Sequence, residues 1–395
     1  MGAVTAEPRP WTAPVATGPV ASAVRLPGSK SMTARALVLS ALAGGPSEIR
    51  RPLRARDTTL MAAGLRALGV AVDTTGADAW TVVPGPLRGP ATVDVGLAGT
   101  IMRFAPPVAA LAEGTVTFDG DPHARNRPLR PIVEALRSLG VDIDASPSGG
   151  LPLVVRGTGT VGGGEAVIDA SGSSQFVSGL LLSAPRFAKG LVLRHEGPPV
   201  PSAPHLRMTT HMLRAAGALV DESVPDVWTV EPGALSGRTW DIEPDLSGAA
   251  PFFAAAMVTG GAVTLAGWPR DSWQPAGVVT GLLTALGPRS ARTRTGSPSG
   301  APAPCTASTP TCPRSASSPR SSPRWPRSPT RRPRCAGWRT SAATRPTASP
   351  RSPASWAGPA PAWSSTPTGW RSPPDRCARP PGRRTRTTGW PTPRR

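Results

Sequence analysis

Residues 26–35, Leu-Pro-Gly-Ser-Lys-Ser-Met-Thr-Ala-Arg, combine residue types that can bind an anion. The proline and glycine interrupt an extended run, and either Ser29 or Ser31 can cap the helix that follows. A helix N-terminus presents unpaired N–H groups and a partial positive charge, and Lys30 and Arg35 add two cations. The spacing is not that of a Walker phosphate loop. The segment predicts a phosphate or carboxylate site or, alternatively, an amphipathic helix with two solvated basic residues.

A repeat of about seventy residues organises the chain around this segment. Gly69, Gly140, Gly217 and Gly287 each follow a predicted helix, and the first three precede a short apolar strand. The helices are predicted over residues 60–68, 132–139, 208–216 and 278–286, the first of them capped by Asp57-Thr58. A unit this small cannot bury its own helix faces, so the copies must pack together. The pattern predicts an α/β domain of three units and a second such domain that begins near residue 243.

The formal charge of +20 is confined to one end of the chain. Residues 288–395 contain 21 Arg and a single acidic residue, Asp375. Of the 44 basic and 24 acidic residues in the whole chain, this leaves 23 of each in residues 1–287. The body is therefore neutral, and the charge does not predict a specific nucleic-acid site.

Cysteine usage and hydropathy exclude further classes of protein. All four cysteines lie beyond residue 287 without CxxC spacing, so neither a zinc site nor a disulfide framework is predicted. No apolar run is long enough for a membrane helix, and the Pro-rich N-terminus lacks a signal-peptide core. We expect a cytoplasmic protein that does not bind membranes.

Several ordered motifs in residues 20–287 resemble the enolpyruvyl transferase family and, within it, the EPSP synthases. Pro-Gly-Ser-Lys-Ser at 27–31 is followed by Arg35 four residues after its second serine, as in that family. The likeness continues through Asp57-Thr58, Leu97-Ala98-Gly99-Thr100, Arg125-Asn126-Arg127-Pro128, Ser173-Ser174-Gln175-Phe176, Pro201-Ser202-Ala203-Pro204-His205 and Asp241-Ile242-Glu243-Pro244-Asp245.

The resemblance implies an α/β fold of two domains, each made of three βαβαββ units around a hinged cleft. Chain crossings between the domains are expected near Pro27 and near Glu243-Pro244. We accordingly predict a shikimate-phosphate-binding domain over residues 27–242. Residues 1–26 with 243–287 would form part of the second domain, which would be incomplete.

The resemblance also assigns site residues. Those expected to bind shikimate 3-phosphate are Lys30, Ser31, Arg35, Ser173, Ser174, Gln175 and Ser202. Those expected to bind phosphoenolpyruvate are Lys30, Gly99, Arg127 and Gln175, with Arg125 as the competitor of Arg127. Leu97 stands where the family has an asparagine, which leaves any polar contact at that position in doubt. No metal or cofactor is implied.

The implied reaction transfers the enolpyruvyl group of phosphoenolpyruvate to the 5-hydroxyl of shikimate 3-phosphate. It belongs to the shikimate pathway, and we expect the enzyme to be a monomer. The acid/base residues of the family would lie beyond residue 287, so the catalytic residues are unknown. The alternative is a catalytically dead remnant that binds shikimate 3-phosphate. The related UDP-N-acetylglucosamine enolpyruvyl transferase is disfavoured because residues 1–287 contain no cysteine for its reactive loop.

Residues 288–395 do not fit this picture. They contain no Leu, Val, Ile, Phe or Met, so they cannot bury a core, and we expect an Arg/Pro-rich disordered tail. With free third bases, a shifted reading frame over residues 338–352 permits Ala-His-Leu-Arg-Gly-His-Glu-Thr-Asp-Arg-Leu, which resembles a second-domain motif of the family. We hypothesise a frameshift near Gly287-Pro288, with little turnover from the chain as printed. An intact frame in independent reads of the gene would refute it.

Overall fold

The computed structural model describes residues 14–269 and 271–286, together with the backbone of residues 289–292 and 305–308. The helices are α1 (Lys30–Ala41), α2 (Arg56–Ala67), α3 (Gly99–Ala109), α4 (Arg130–Ser138), α5 (Ser174–Ser183), α6 (Ala203–Ala215), α7 (Ala250–Thr259) and α8 (Ala276–Ala285). Among these described helices, none is long and apolar enough to cross a membrane.

The strands are short and form four-stranded sheets. They are β1 (Ala21–Arg25), β2 (Ser47–Arg50), β3 (Ala71–Asp73), β4 (Ala79–Val83), β5 (Ala91–Asp94), β6 (Glu113–Asp119), β7 (Asp142–Ala145), β8 (Leu153–Thr158), β9 (Gly164–Ile168), β10 (Leu191–His195), β11 (Val220–Asp221), β12 (Val227–Val230), β13 (Thr239–Asp241), β14 (Ala262–Ala266), β15 (Arg289–Arg292) and β16 (Cys305–Ser308).

Three of the sheets share one topology. In the sheet β5-β6-β8-β7, the first two strands are parallel and the other neighbours are antiparallel. The sheets β9-β10-β12-β11 and β13-β2-β4-β3 have the same order and the same strand directions. The predicted repeat of βαβαββ units is confirmed. In the sheet β13-β2-β4-β3, the first strand comes from residues 239–241 and pairs with β2. One strand of this unit is therefore supplied by a segment that is distant in sequence.

Glycines end the repeated helices because the chain turns there through the left-handed region. Gly69, Gly140 and Gly217 have φ angles of +97°, +84° and +98°. The residue three positions before each glycine is an arginine. Its side chain donates a hydrogen bond to a backbone carbonyl of the next strand. The pairs are Arg66 with Val72, Arg137 with Ile143, and Arg214 with Val220. In each unit the same type of arginine–carbonyl hydrogen bond thus connects the helix to the sheet.

Two of these glycines provide a matched stability test. A Cβ at Gly140 would meet open space, whereas a Cβ at Gly69 would lie 2.7 Å from the Pro86 carbonyl oxygen. We expect Gly140→Ala to lower the free energy of unfolding by about 1 kcal/mol through its backbone conformation alone. Gly69→Ala should cost about 1–3 kcal/mol more because of the clash. Urea unfolding of both variants measures the difference, and equal losses would contradict it.

The buried apolar residues form two separate cores. The larger contains buried side chains between Met32 and Ile242, and the smaller contains Leu26 and side chains between Leu246 and Leu283. The chain passes between the cores at two adjacent points. The Ser29 N–H donates to the Glu243 carbonyl at 2.8 Å, and the Asp245 N–H donates to that of Pro27 at 2.9 Å. These are the segments where the resemblance placed the crossings.

The described part of the predicted tail contains secondary structure. Strands β15 and β16 lie within residues 288–395, pair with each other, and extend the sheet β1-β14 in the order β1-β14-β16-β15. For these eight residues the expectation of disorder is wrong, because sheet pairing uses backbone groups and does not require large apolar side chains. The remaining tail and the proposed frameshift lie outside the described residues.

The cap predicted for α2 is also wrong. The helix begins at Arg56 after the cap residue Ala55, so Asp57 and Thr58 lie within its first turn. The Thr58 hydroxyl accepts from the Ala55 N–H at 3.1 Å and donates to the Leu53 carbonyl. Thr58 therefore stabilises the helix start from inside, and the Asp57 carboxylate is available for another partner.

Candidate functional site

A cavity of about 240 Å³ lies where the N-terminal ends of α1, α5 and α6 meet. It is lined by Ser31, Arg35, Gly172, Ser173, Ser174, Gln175, Pro201, Ser202 and His205. None of the three helices carries an acidic residue in its first turn, and no carboxylate of the described residues lines the cavity. Hydroxyl groups, one guanidinium and converging helix ends make this a polar cavity with positive potential.

Arg35 is the charged centre of this cavity and is only 2% exposed. Its Nε donates to the Thr209 hydroxyl at 2.8 Å, and its Nη1 donates to the Ser31 carbonyl at 2.9 Å. Nη2 is 3.2 Å from both the Ser178 hydroxyl and the His205 carbonyl. The guanidinium also lies 5.3 Å from the Phe104 ring centre. These contacts hold the cation in one orientation.

All of these partners are neutral. Within the described residues Arg35 has no carboxylate partner, and burial lowers the pKa of its guanidinium to about 9. A buried cation without a counter-ion destabilises the protein, so an anion in the cavity would offset that cost. An orientation fixed in advance also reduces the entropy lost on binding.

Serine residues supply the remaining polar surface. The Ser173 hydroxyl caps α5 by accepting from the Gln175 N–H at 3.2 Å. Ser202 precedes α6 in the left-handed region, with φ of +59°, and its side chain makes no capping hydrogen bond. Six of the seven residues predicted to bind shikimate 3-phosphate line this cavity. The exception is Lys30.

Lys30 stands beside the cavity and pairs with an acid instead. Its Nζ lies 3.2 Å from Asp57 Oδ2, and the lysine side chain is 48% exposed. The Lys30 N–H donates to the carboxylate of Asp245, which follows the second crossing. Asp245 therefore caps α1 from across the junction of the two cores. An exposed ion pair of this kind contributes little stability, so Lys30 could exchange Asp57 for a ligand at small cost.

A second cluster of cations surrounds the start of α3. Gly99, expected to bind phosphoenolpyruvate, is the first residue of this helix. A Cβ at Gly99 would lie 2.5 Å from Arg103 Nη1 and 2.6 Å from Arg127 Nη2. Two guanidinium groups approach the backbone here, and a side chain at this position would displace them.

Arg103 was not among the predicted site residues, yet it joins the two clusters. Its Nη1 lies 3.2 Å from both the Gly99 carbonyl and Gln175 Oε1. Its Nε is buried without a hydrogen-bond partner in the described structure. Burial and then the charge of Arg127 lower the pKa of Arg103 to about 10. One signal could have identified it: a lone charge in an otherwise apolar helix needs a partner or a function.

The packing of α3 against α5 brings these clusters together. Pro107 has no N–H, so it cannot donate to the Arg103 carbonyl within α3. Gly179 of α5 lies directly against that carbonyl, where any side chain would clash. The close contact sets the starts of the two helices side by side, and Gln175 therefore lies within reach of Arg103.

The two competing arginines differ in their partners. Arg125 forms a double contact with Asp119, with Nε and Nη2 at 3.1 and 2.6 Å from the two carboxylate oxygens. Arg127 donates to the Leu97 carbonyl at 2.7 Å, and in the described part of the chain it has no carboxylate partner. This arrangement favours Arg127 over Arg125 as the ligand for an anion.

Comparisons with known proteins agree with this architecture. Residues 15–297 match the family described as EPSP synthase (3-phosphoshikimate 1-carboxyvinyltransferase). A relative from Mycobacterium ulcerans (strain Agy99), named 3-phosphoshikimate 1-carboxyvinyltransferase, is 54% identical over 283 residues. Two solved structures of EPSP synthase from Acinetobacter baumannii each superpose with a TM-score of 0.61, at 23% and 24% identity.

The match is partial. It covers 70% of this chain and 64% of the Mycobacterium relative, so the chain spans less than two thirds of that protein's length. The Acinetobacter structures match 74% and 73% of this chain and 67% and 64% of their own. At these identities the solved structures support the fold, whereas the family match rests on sequence over most of the chain. The chain belongs to the EPSP synthase family.

Proposed function

We propose that this chain is a 3-phosphoshikimate 1-carboxyvinyltransferase. In this reaction the 5-hydroxyl group of shikimate 3-phosphate gives up its proton as its oxygen attacks C2 of phosphoenolpyruvate, while C3 takes up a proton. The resulting tetrahedral intermediate then loses inorganic phosphate and a proton, which leaves the enolpyruvyl ether. The products are 5-enolpyruvylshikimate 3-phosphate and phosphate. Family membership supports the reaction, and the buried, unpaired cation Arg35 carries the assignment of the site.

In this proposal the cavity at α1, α5 and α6 receives shikimate 3-phosphate. The hydroxyls of Ser173, Ser174 and Ser202 would donate to phosphate oxygens or bind ring hydroxyls. Ser31 and Arg35 would orient the substrate from α1. A doubly charged phosphate suits a cavity with several donors and no carboxylate in its lining.

Phosphoenolpyruvate would lie beside it, against the Arg127 guanidinium at the start of α3 near Gly99. The guanidinium groups of Arg103 and Arg127 repel one another, and an anion bound beside both would relieve that repulsion. Gln175 could contact both substrates because it lines the cavity and binds Arg103. Lys30 would complete the site after releasing Asp57. The general acid and base are expected beyond residue 287 and stay unassigned.

We also propose that residues 27–242 are the shikimate-phosphate-binding domain and that residues 1–26 with 243–287 belong to a second domain. The two cores and the paired crossings support this division. Closure of the two domains would exclude water and strengthen each ionic contact. The enzyme is proposed to act in the cytoplasm as a monomer.

Calorimetry followed by a phosphate-release assay tests the proposal. Shikimate 3-phosphate should bind, and shikimate should bind much more weakly. Addition of phosphoenolpyruvate should release inorganic phosphate, in contrast to the low turnover that the frameshift hypothesis predicts. Binding of shikimate 3-phosphate without phosphate release would instead favour the non-catalytic remnant, which the family match does not favour. Failure of shikimate 3-phosphate to bind would contradict both readings.

A further inference from the structure

His205 lines the cavity but has no role in the assignments above. It lies in the first turn of α6 and is half-buried. Its backbone carbonyl accepts from Arg35 Nη2 at 3.2 Å and from the Thr209 hydroxyl at 2.9 Å. These contacts fix the backbone of the residue against α1. Its ring is therefore presented from a rigid position at the edge of the cavity.

The imidazole of His205 differs from that of the neighbouring buried histidine. Both ring nitrogens of His195 contact backbone groups, with Nδ1 near Ala170 and Ile168 and Nε2 near Pro198. Neither ring nitrogen of His205 has a hydrogen-bond partner among the described residues. His195 is thus a satisfied structural histidine, whereas His205 keeps free hydrogen-bonding capacity beside Ser173, Ser174 and Ser202.

Two charged groups act on the His205 ring. Burial and then the charge of Arg35, on α1, lower the pKa of His205, whereas Asp245, after the second crossing, opposes them. In the empty cavity the lowered pKa favours the neutral ring. A bound dianion would reverse the balance, because a negative charge at hydrogen-bond distance favours the imidazolium.

We propose that His205 donates a hydrogen bond from its imidazole to the 3-phosphate of the substrate and so serves as a further binding residue. This inference rests on the proposed function. Because the phosphate carries two negative charges, the ring takes up a proton on binding, and the hydrogen bond becomes charge-assisted. The contribution of His205 to affinity accordingly increases as the pH falls.

His211 offers a matched control because it lies on the same helix and is exposed away from the cavity lining. We compare the unmodified protein, His205→Gln and His211→Gln by calorimetry at pH 6 and pH 8. His205→Gln should weaken shikimate 3-phosphate binding about tenfold at pH 6 and no more than about threefold at pH 8. His211→Gln should match the unmodified protein, and shikimate binding should be unchanged in all three.

The phosphate group of the ligand titrates in the same way in all three experiments. The difference in affinity between the variants at each pH therefore reports the contribution of the histidine. Nitrogen-15 NMR of the histidine rings provides a second measurement on the unmodified protein, so it does not depend on whether a variant folds. The spectrum is simple because the chain contains four histidines. The His205 ring should become protonated at pH 7 when shikimate 3-phosphate is added. Unchanged affinity in His205→Gln at both pH values, or an unshifted ring in the saturated protein, would overturn the inference. Neither result would affect the proposed function, which is tested on the unmodified protein by shikimate 3-phosphate binding and by phosphate release.

Discussion

Replacing Arg35 by methionine is expected to weaken shikimate 3-phosphate binding at least about 100-fold. Hydrogen bonds to charged groups contribute about 1.5–3 kcal/mol each, and the substitution removes the one arginine or lysine among the described residues that line the cavity. Helix ends and serine hydroxyls would still attract an anion, but they would do so without a full opposite charge. Calorimetry with the purified variant measures the loss directly.

The fold should survive this substitution, which makes a loss of binding interpretable. Methionine has a similar length, and replacing a buried charge by an apolar group is often neutral or stabilising. The Ser178 and Thr209 hydroxyls, which would lose the guanidinium, already lie 2.9 Å from each other. We expect the free energy of unfolding to change by less than about 2 kcal/mol.

Arg156→Met is the control for Arg35→Met. Arg156 lies on β8, where it is exposed and paired with Asp142 and Asp144. Its loss should leave binding of shikimate 3-phosphate unchanged. Equal affinities for Arg35→Met and Arg156→Met would remove Arg35 from the site.

The second large effect is expected at Arg127. With shikimate 3-phosphate bound, Arg127→Met should weaken phosphoenolpyruvate binding about 100-fold, because a two-point contact with a carboxylate or phosphate is lost. Arg125→Met should change it less than about threefold, since Arg125 is engaged by Asp119. Titration of phosphoenolpyruvate into the saturated variants provides the measurement.

This pair of variants also separates the two arginines of one motif. Shikimate 3-phosphate binding should be nearly unchanged in both, which would show that the cavity is intact. A larger loss in Arg125→Met than in Arg127→Met would reverse the assignment. It would also mean that the Asp119 pair opens when the ligand binds.

Local sequence patterns predicted the features of the fold that depend on backbone geometry. Gly69, Gly140 and Gly217 were recognised because a helix end followed by a strand requires a residue that tolerates positive φ. The repeat followed from their spacing, and the family resemblance supplied the βαβαββ topology of each unit. The return of β13 to β2 could not be predicted in the same way, because the pairing joins segments about 190 residues apart.

Prediction of the site depended on whether a residue's role can be read locally. The serines at 173, 174 and 202 belong to recognisable motifs, and the structure gathers them with Arg35 around one cavity. The burial of Arg103 depends on how α3 packs on α5, which no local pattern shows. His205 belongs to the motif at residues 201–205, but the sequence does not show whether its ring has partners. In the structure the His195 ring is hydrogen-bonded, whereas the His205 ring has no such contact among the described residues.

The pairing of Lys30 with Asp57 has a similar explanation. A carboxylate near a helix start is an ordinary cap signal, and sequence alone favoured that role for Asp57. The helix begins two residues earlier than a cap at Asp57 requires, and the carboxylate pairs with Lys30 instead. Side-chain partners across elements depend on the angle between them, and that angle is a property of the packed core.

A crystal structure of the chain saturated with shikimate 3-phosphate tests the assignment of the cavity most directly. We predict the phosphate within hydrogen-bond distance of Ser173, Ser174 and Ser202, and the ring within reach of the Arg35 guanidinium. If calorimetry shows binding but the ligand occupies another part of the molecule and leaves this cavity unfilled, the site described above is wrong.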